Sequence, residues 1–161
     1  LALHAMRLFA TSLRRTKADP SDLEARLQSQ QAVWLAASGL GRVPMGASHG
    51  IGYLLGTMCG VPHGYTSCVM LPAVLRWNET VTRERQRDIA AALGTPDASA
   101  SEAVAKLVAD LGLPRKLGDV GVGEDRIAEL AAVAWRTPVV KTNPRPVRDA
   151  DDAAEILRLS L

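Results

Sequence analysis

The chain has 161 residues, 47% of them hydrophobic and 22% charged, which is about one domain with enough apolar surface for a core. Its net charge of +2 comes from 19 basic and 17 acidic side chains mixed along the sequence, without a basic patch interleaved with aromatics, so no nucleic-acid partner is expected. No apolar run approaches the ~20 residues of a membrane span, so no membrane partner is expected.

Aromatics are only 4% of the chain and Ala and Leu dominate the apolar set, a composition that favours helices. Cys59 and Cys68 show neither a metal spacing nor a disulfide framework, so a reduced, cytoplasmic setting is expected. The opening "LALHAMRLFATSL" starts directly in helical periodicity, with Leu3, Met6, Ala10 and Leu13 on one face. Without an initiator Met, it reads as part of something longer.

Next, "PSDLEARLQSQQAVWLAA" carries Ser21 and Glu24 at capping-box spacing and predicts a stripe of Leu23, Leu27 and Trp34. After the central segment, "SASEAVAKLVADLGLP" repeats the S-x-x-E start at Ser99 and Glu102. Its apolar positions Val104, Leu107, Val108 and Leu111 are spaced i, i+3, i+4, i+7, and Gly112 and Pro114 stop it. In "GEDRIAELAAVAW" the stripe is Ile127, Leu130, Ala131 and Ala134, and "VRDADDAAEILRLSL" places acids in a first helical turn. "TPVVKT" is too short to carry a sheet. The expectation is a single all-α bundle over residues 1–161, with seven or eight helices and breaks near 41–44, 60–62, 94–96, 112–123 and 137–146.

Residues 45–78, "MGASHGIGYLLGTMCGVPHGYTSCVMLPAVLRWN", hold most of the functional information. The G-x-x-x-G-x-G of "GASHGIG" imitates a dinucleotide turn, but Pro44 stands where a strand would end and no strand–helix alternation follows. The Tyr-x-x-x-Lys pair of short-chain dehydrogenases is missing too, since Thr57 follows Tyr53 and Val69 follows Tyr65. Gly52, Gly56 and Gly60 recur every four residues instead. Each costs about 1 kcal/mol in a helix interior, which implies a close approach by another group along that face.

His49 and His63 are 14 residues apart, about 21 Å on one continuous helix. Gly60 and Pro62 interrupt that helix, so the two imidazoles can converge if the chain turns back between them. By the residues alone they are either two satisfied polar side chains or half of a metal site.

This segment resembles the signature of the iron-containing (group III) alcohol dehydrogenases. The features that carry the likeness are H-x(13)-H, a P-H-G turn around the second His, and the following "LPAVLRWN". "NPRPV", Asn143 to Val147, is similar to the ending of the maleylacetate reductase branch. The resemblance implies the C-terminal helical domain of a two-domain, dehydroquinate synthase-like fold. It makes His49 and His63 ligands of Fe²⁺ or Zn²⁺, and the chemistry hydride transfer between NAD(H) or NADP(H) and a small carbonyl or alcohol substrate.

Family members carry a further Asp and His, in D-x-x-x-H, and a nucleotide-binding domain before the region matched here. That N-terminal domain is the implied partner, and a homodimer the expected assembly. Many members also have a His four residues after the first ligand, where this chain has Tyr53. A phenol at that place is a candidate to donate or relay a proton. For a substrate bearing carboxylates, Arg145 is a candidate anchor, because guanidinium pairs bidentately with carboxylate. The other reading is a helical packing or dimerisation domain without activity of its own.

Overall fold

The computed structural model describes residues 1–161, and it is all-α. The helices are α1 (Ala2–Ala18), α2 (Leu23–Ala37), α3 (Ala47–Cys59), α4 (His63–Ala92), α5 (Ala100–Asp110), α6 (Ile127–Ala134), α7 (Pro138–Lys141) and α8 (Ala150–Arg158). Short 3-10 turns at Leu117–Val120 and Glu124–Arg126 lead into α6. "TPVVKT" forms the single turn α7, with Pro138 at its first position, where a missing N–H costs nothing.

The chain divides into two compact units, Leu1–Val43 with Glu84–Gly112, and Pro44–Arg83 with Leu113–Leu161. The boundary within α4 falls beside Thr82, whose backbone leaves helical geometry (φ −129°, ψ 21°).

In the first unit, α1 packs on α2 through small residues: Ala5 and Ser12 are buried on one helix, Ala25 and Ala32 on the other. Ser29 Oγ donates to Ser12 Oγ at 2.9 Å across that contact. This overturns the expected stripe. Leu23, Leu27 and Trp34 are exposed, because apolar and polar residues are spread around α2 without a dominant apolar side and the face that packs is the one whose small side chains admit close approach. The expected Ser21–Glu24 capping box does not form either. Asp19 captures the Ser21 hydroxyl, and Asp22 caps α2 by accepting from the Ala25 N–H. By contrast, the Ser99–Glu102 capping box closes in both directions on α5. A small core of Ala90, Leu93 and Ala103 collects Met6, Ala10 and Leu107.

The second unit holds the larger core. Ile51 and Leu55 of α3, Met70, Val74 and Trp77 of α4, Ile127 and Leu130 of α6, and Ile156 and Leu157 of α8 form one cluster. Each fully buried Leu or Ile there contributes about 1.5–3 kcal/mol of transfer free energy. Arg148 and Asp152 pair across the first turn of α8 at 2.8 Å, and Asp149 caps that helix.

Candidate metal and substrate site

The first half of the site is the start of α3. Gly46 precedes the helix and carries no side-chain cap; instead Asn143 Oδ1 accepts from the Ala47 N–H at 3.1 Å. A Cβ on Gly46 would stand 2.9 Å from that same oxygen, so only glycine leaves room for the amide. Asn143 Nδ2 donates to Asn78 Oδ1 at 2.6 Å and to the Arg145 carbonyl at 2.7 Å. Asn143 belongs to "NPRPV" and Asn78 closes "LPAVLRWN". The two outlying pieces of the sequence signature therefore meet and fix the helix that begins two residues before His49.

The second half is the turn between α3 and α4. Gly60 ends α3 in the left-handed region (φ +68°), which glycine adopts without strain, and the Val61 N–H donates to the Leu55 carbonyl. α4 then starts at His63. A Cβ on Gly52 would lie 3.0 Å from Thr66 Oγ1, so the first turn of α4 crosses α3 at close range. Thr66 Oγ1 is itself tied to the His63 carbonyl at 2.9 Å.

The glycine spacing is explained differently at each position. Gly52 admits α4, Gly56 meets the Val61 carbonyl at an ordinary 3.6 Å, and Gly60 is the cap. The tightest contact belongs to a glycine outside that spacing. A Cβ on Gly50 would come 2.6 Å from Val140 Cγ2 of α7. Gly46 and Gly50 were beyond sequence reasoning, because their crowding partners lie some ninety residues further along the chain.

His49, Tyr53 and His63 converge as the interrupted helix requires. Ring centroids are 4.9 Å apart for His49 and Tyr53, 6.4 Å for His49 and His63, and 6.3 Å for Tyr53 and His63. His49 is half-buried, while Tyr53 and His63 are exposed, so the cluster opens to solvent. Imidazoles sharing one tetrahedral ion at N–metal distances of ~2.1 Å place their centroids about 5.3 Å apart. The His pair, at 6.4 Å with ring planes at 89°, stands about 1 Å wider than that. No group of three His, Cys, Asp or Glu side chains forms here, so this pair alone would supply two of the three or four protein ligands a metal takes.

Arg145 is not brought to this cluster. Its guanidinium lies over the Trp77 ring at 3.4 Å and donates to the Trp77 carbonyl at 3.1 Å, and Trp77 Nε1 donates back to the Arg145 carbonyl. Trp77 is fourteen residues beyond His63, about 21 Å along an ideal helix.

The sequence pattern described as the Fe-containing alcohol dehydrogenase family, C-terminal, matches residues 1–161. The 1,3-propanediol dehydrogenase of Citrobacter freundii is 35% identical over 98% of this chain and 43% of its own length. The maleylacetate reductase of Sphingobium indicum is 32% identical over 92% of this chain and 41% of its own. The crystal structure of maleylacetate reductase from Rhizobium sp. strain MTP-10005 superposes with a TM-score of 0.88 at 26% identity, covering 99% of this chain and 44% of that one. The chain thus spans less than half the length of these relatives.

Proposed function

Because the chain belongs to the Fe-containing alcohol dehydrogenase family, we propose that it is the metal- and substrate-binding part of a nicotinamide-dependent oxidoreductase that interconverts a small carbonyl and its alcohol. The observation that carries this reading is the convergence of His49, Tyr53 and His63 on one open face of α3 and α4. His49 and His63 would hold Fe²⁺ or Zn²⁺. The remaining ligands and the NAD(H) or NADP(H) site belong to the part of the full-length relatives that this chain does not span. When bound, the metal would supply Lewis-acid polarisation of the substrate oxygen and the nicotinamide the hydride chemistry.

The chain's own groups do the rest. The half-buried His49 is aimed by the Asn143–Ala47 bond, and His63 by the close crossing at Gly52. Tyr53, one helical turn beyond His49 and edge-on to its ring, is placed to pass a proton to or from the substrate oxygen.

Within the family, we favour a maleylacetate reductase-like substrate, on the "NPRPV" ending. The test is full-length protein loaded with Fe²⁺ or Zn²⁺, assayed for NADH and NADPH oxidation with maleylacetate and for NAD(P)⁺ reduction with simple primary alcohols. Turnover with neither class would sink the oxidoreductase reading. Turnover with alcohols alone would remove the branch assignment.

A further inference from the structure

From the layout of charge around the His49–Tyr53 face, we infer that Lys141 and Arg136 form the anion-recognition element of the substrate site, which takes a carbonyl compound carrying a carboxylate remote from the reacting carbon. The inference rests on the oxidoreductase reading above and names its substrate class.

The argument begins with the walls of the site. Around α3, Gly52 stands about 60° to one side of His49 and Gly50 about 100° to the other, with Tyr53 about 40° toward the Gly50 side. Thr66 of α4 presses on Gly52, while Val139 and Val140 of α7 press on Gly50. The reacting face therefore lies between the start of α4 and α7. His63 occupies the α4 wall. A substrate held by its oxygen near the His pair and Tyr53 extends its remaining atoms toward the α7 wall.

The basic residues of this unit can be sorted by what already holds them. Arg126, Arg148 and Arg158 are ion-paired with Glu129, Asp152 and Glu124. Arg145 is stacked on Trp77. Arg115 and Lys116 lie beside the Asp119 carboxylate, which accepts from their backbone N–H groups and is held below its ordinary pKa by those bonds first and by the two charges as well. Arg76 and Arg83 sit far along α4, on the order of 20 Å or more from His63 along its axis.

Arg136, in the link between α6 and α7, and Lys141, the last residue of α7, remain. Both are exposed, and no acidic partner is paired with either. Arg136 Cζ is 5.2 Å and Lys141 Nζ 5.9 Å from the centroid of Trp135, so the two cations lie within about 11 Å of each other on one ring. Trp135 packs against the core and anchors both stems. Two like charges gathered on one aromatic without a counter-charge make a local positive field around α7, which an anion relieves. Lys141 is two residues from Val139, the α7 residue whose Cβ lies 3.5 Å from a Cβ built on Gly50.

The experiment compares full-length, metal-loaded enzyme and its Lys141→Gln, Arg136→Gln and Lys141→Arg variants on 4-oxobutanoate and on butanal, which have the same carbon chain with and without the carboxylate. In each Gln variant the ratio of kcat/KM for 4-oxobutanoate over butanal is expected to fall about tenfold to a hundredfold, carried by KM, as for loss of one charge-assisted hydrogen bond. Lys141→Arg is expected to keep most of the ratio, and the remote Arg76→Gln to leave it unchanged. A wild-type enzyme that reduces butanal but not 4-oxobutanoate overturns the inference while the oxidoreductase reading stands. So do Gln variants that lose both substrates equally or neither. Enzyme that oxidises neither NADH nor NADPH with either compound overturns the inference, and the oxidoreductase reading falls with it when maleylacetate and primary alcohols also fail.

Discussion

Asn78 and Asn143 hold each other's side-chain amides. Asn143 Nδ2 donates to Asn78 Oδ1 at 2.6 Å, and Asn78 Nδ2 returns a longer bond to Asn143 Oδ1 at 3.3 Å. Both are buried, and the same Asn143 oxygen receives the first N–H of α3. Replacing Asn143 by Ala strands the Ala47 N–H and Asn78 Nδ2 and leaves Asn78 Oδ1 with only the Arg145 N–H, an expected loss of about 1–3 kcal/mol in chemical denaturation. Since α3 carries His49, metal affinity should fall as well, although Asn143 touches no metal. Unchanged stability in the Asn143→Ala protein would remove it from the positioning role.

His49→Ala and His63→Ala should each weaken metal binding in full-length protein by on the order of a hundredfold or more, read as metal content after gel filtration. Their folding should change little, because His63 is exposed and His49 half-buried. Equal metal content in wild type and both variants would exclude the pair as ligands.

Alanine at Gly50 should be expensive and alanine at Gly56 benign. The Gly50 Cβ meets Val140 Cγ2 at 2.6 Å and the Val140 backbone N at 3.2 Å, so α3 and α7 must separate, at about 1–3 kcal/mol. At Gly56 the nearest atom is 3.6 Å away, and the helix-propensity gain of up to about 1 kcal/mol stays uncancelled. Thermal melts of the two variants should move in opposite directions.

The Asp152 carboxyl is held down at about 2, first by the hydrogen bond from the Arg148 side chain, then by the Arg148 backbone N–H and by the charges of Arg148 and Arg145, against burial, which raises it. A carboxylate lowered in the folded state stabilises it fully above its unfolded value of 3.8, and that contribution is lost as pH falls toward 2. With Arg148 largely exposed and screened, about 1–2 kcal/mol is at stake. Asp152→Asn should lower stability at neutral pH and flatten the pH dependence between about 4 and 2 in urea titrations.

Arg145→Ala should cost about 1–2 kcal/mol of stability through the lost Trp77 stack and carbonyl bond. A rise in KM confined to carboxylate substrates, with stability intact, would instead return it to the anchor role.

The convergence of His49 and His63 was legible because it depends on local punctuation. Gly60 and Pro62 break the helix at the one place that lets His49 and His63 meet, and the Ser99–Glu102 box needs only three residues of context. Elsewhere local signals compete. Ser21 had a Glu at the right spacing, but Asp19 and Asp22 offered nearer acceptors. The periodicity of α2 could not say which side packs, because its apolar and polar residues alternate around the helix, and the Ala25–Ala32 face won by being thin. Arg145 reads from sequence as a free cation beside prolines. Its stacking is written at Trp77, sixty-eight residues earlier.

The turn from Gly60 to Pro62 also sets a limit on what insertions and deletions this lineage can accept. Removing one residue there would rotate the start of α4 by about 100° and shift it about 1.5 Å, carrying His63 off the face it shares with His49. Loops usually tolerate changes of length, yet this one acts as a ruler: its three residues fix the phase between two helices. A homologue with a longer or shorter link at this point should therefore have lost the paired imidazoles, or have moved the second to a new position to compensate.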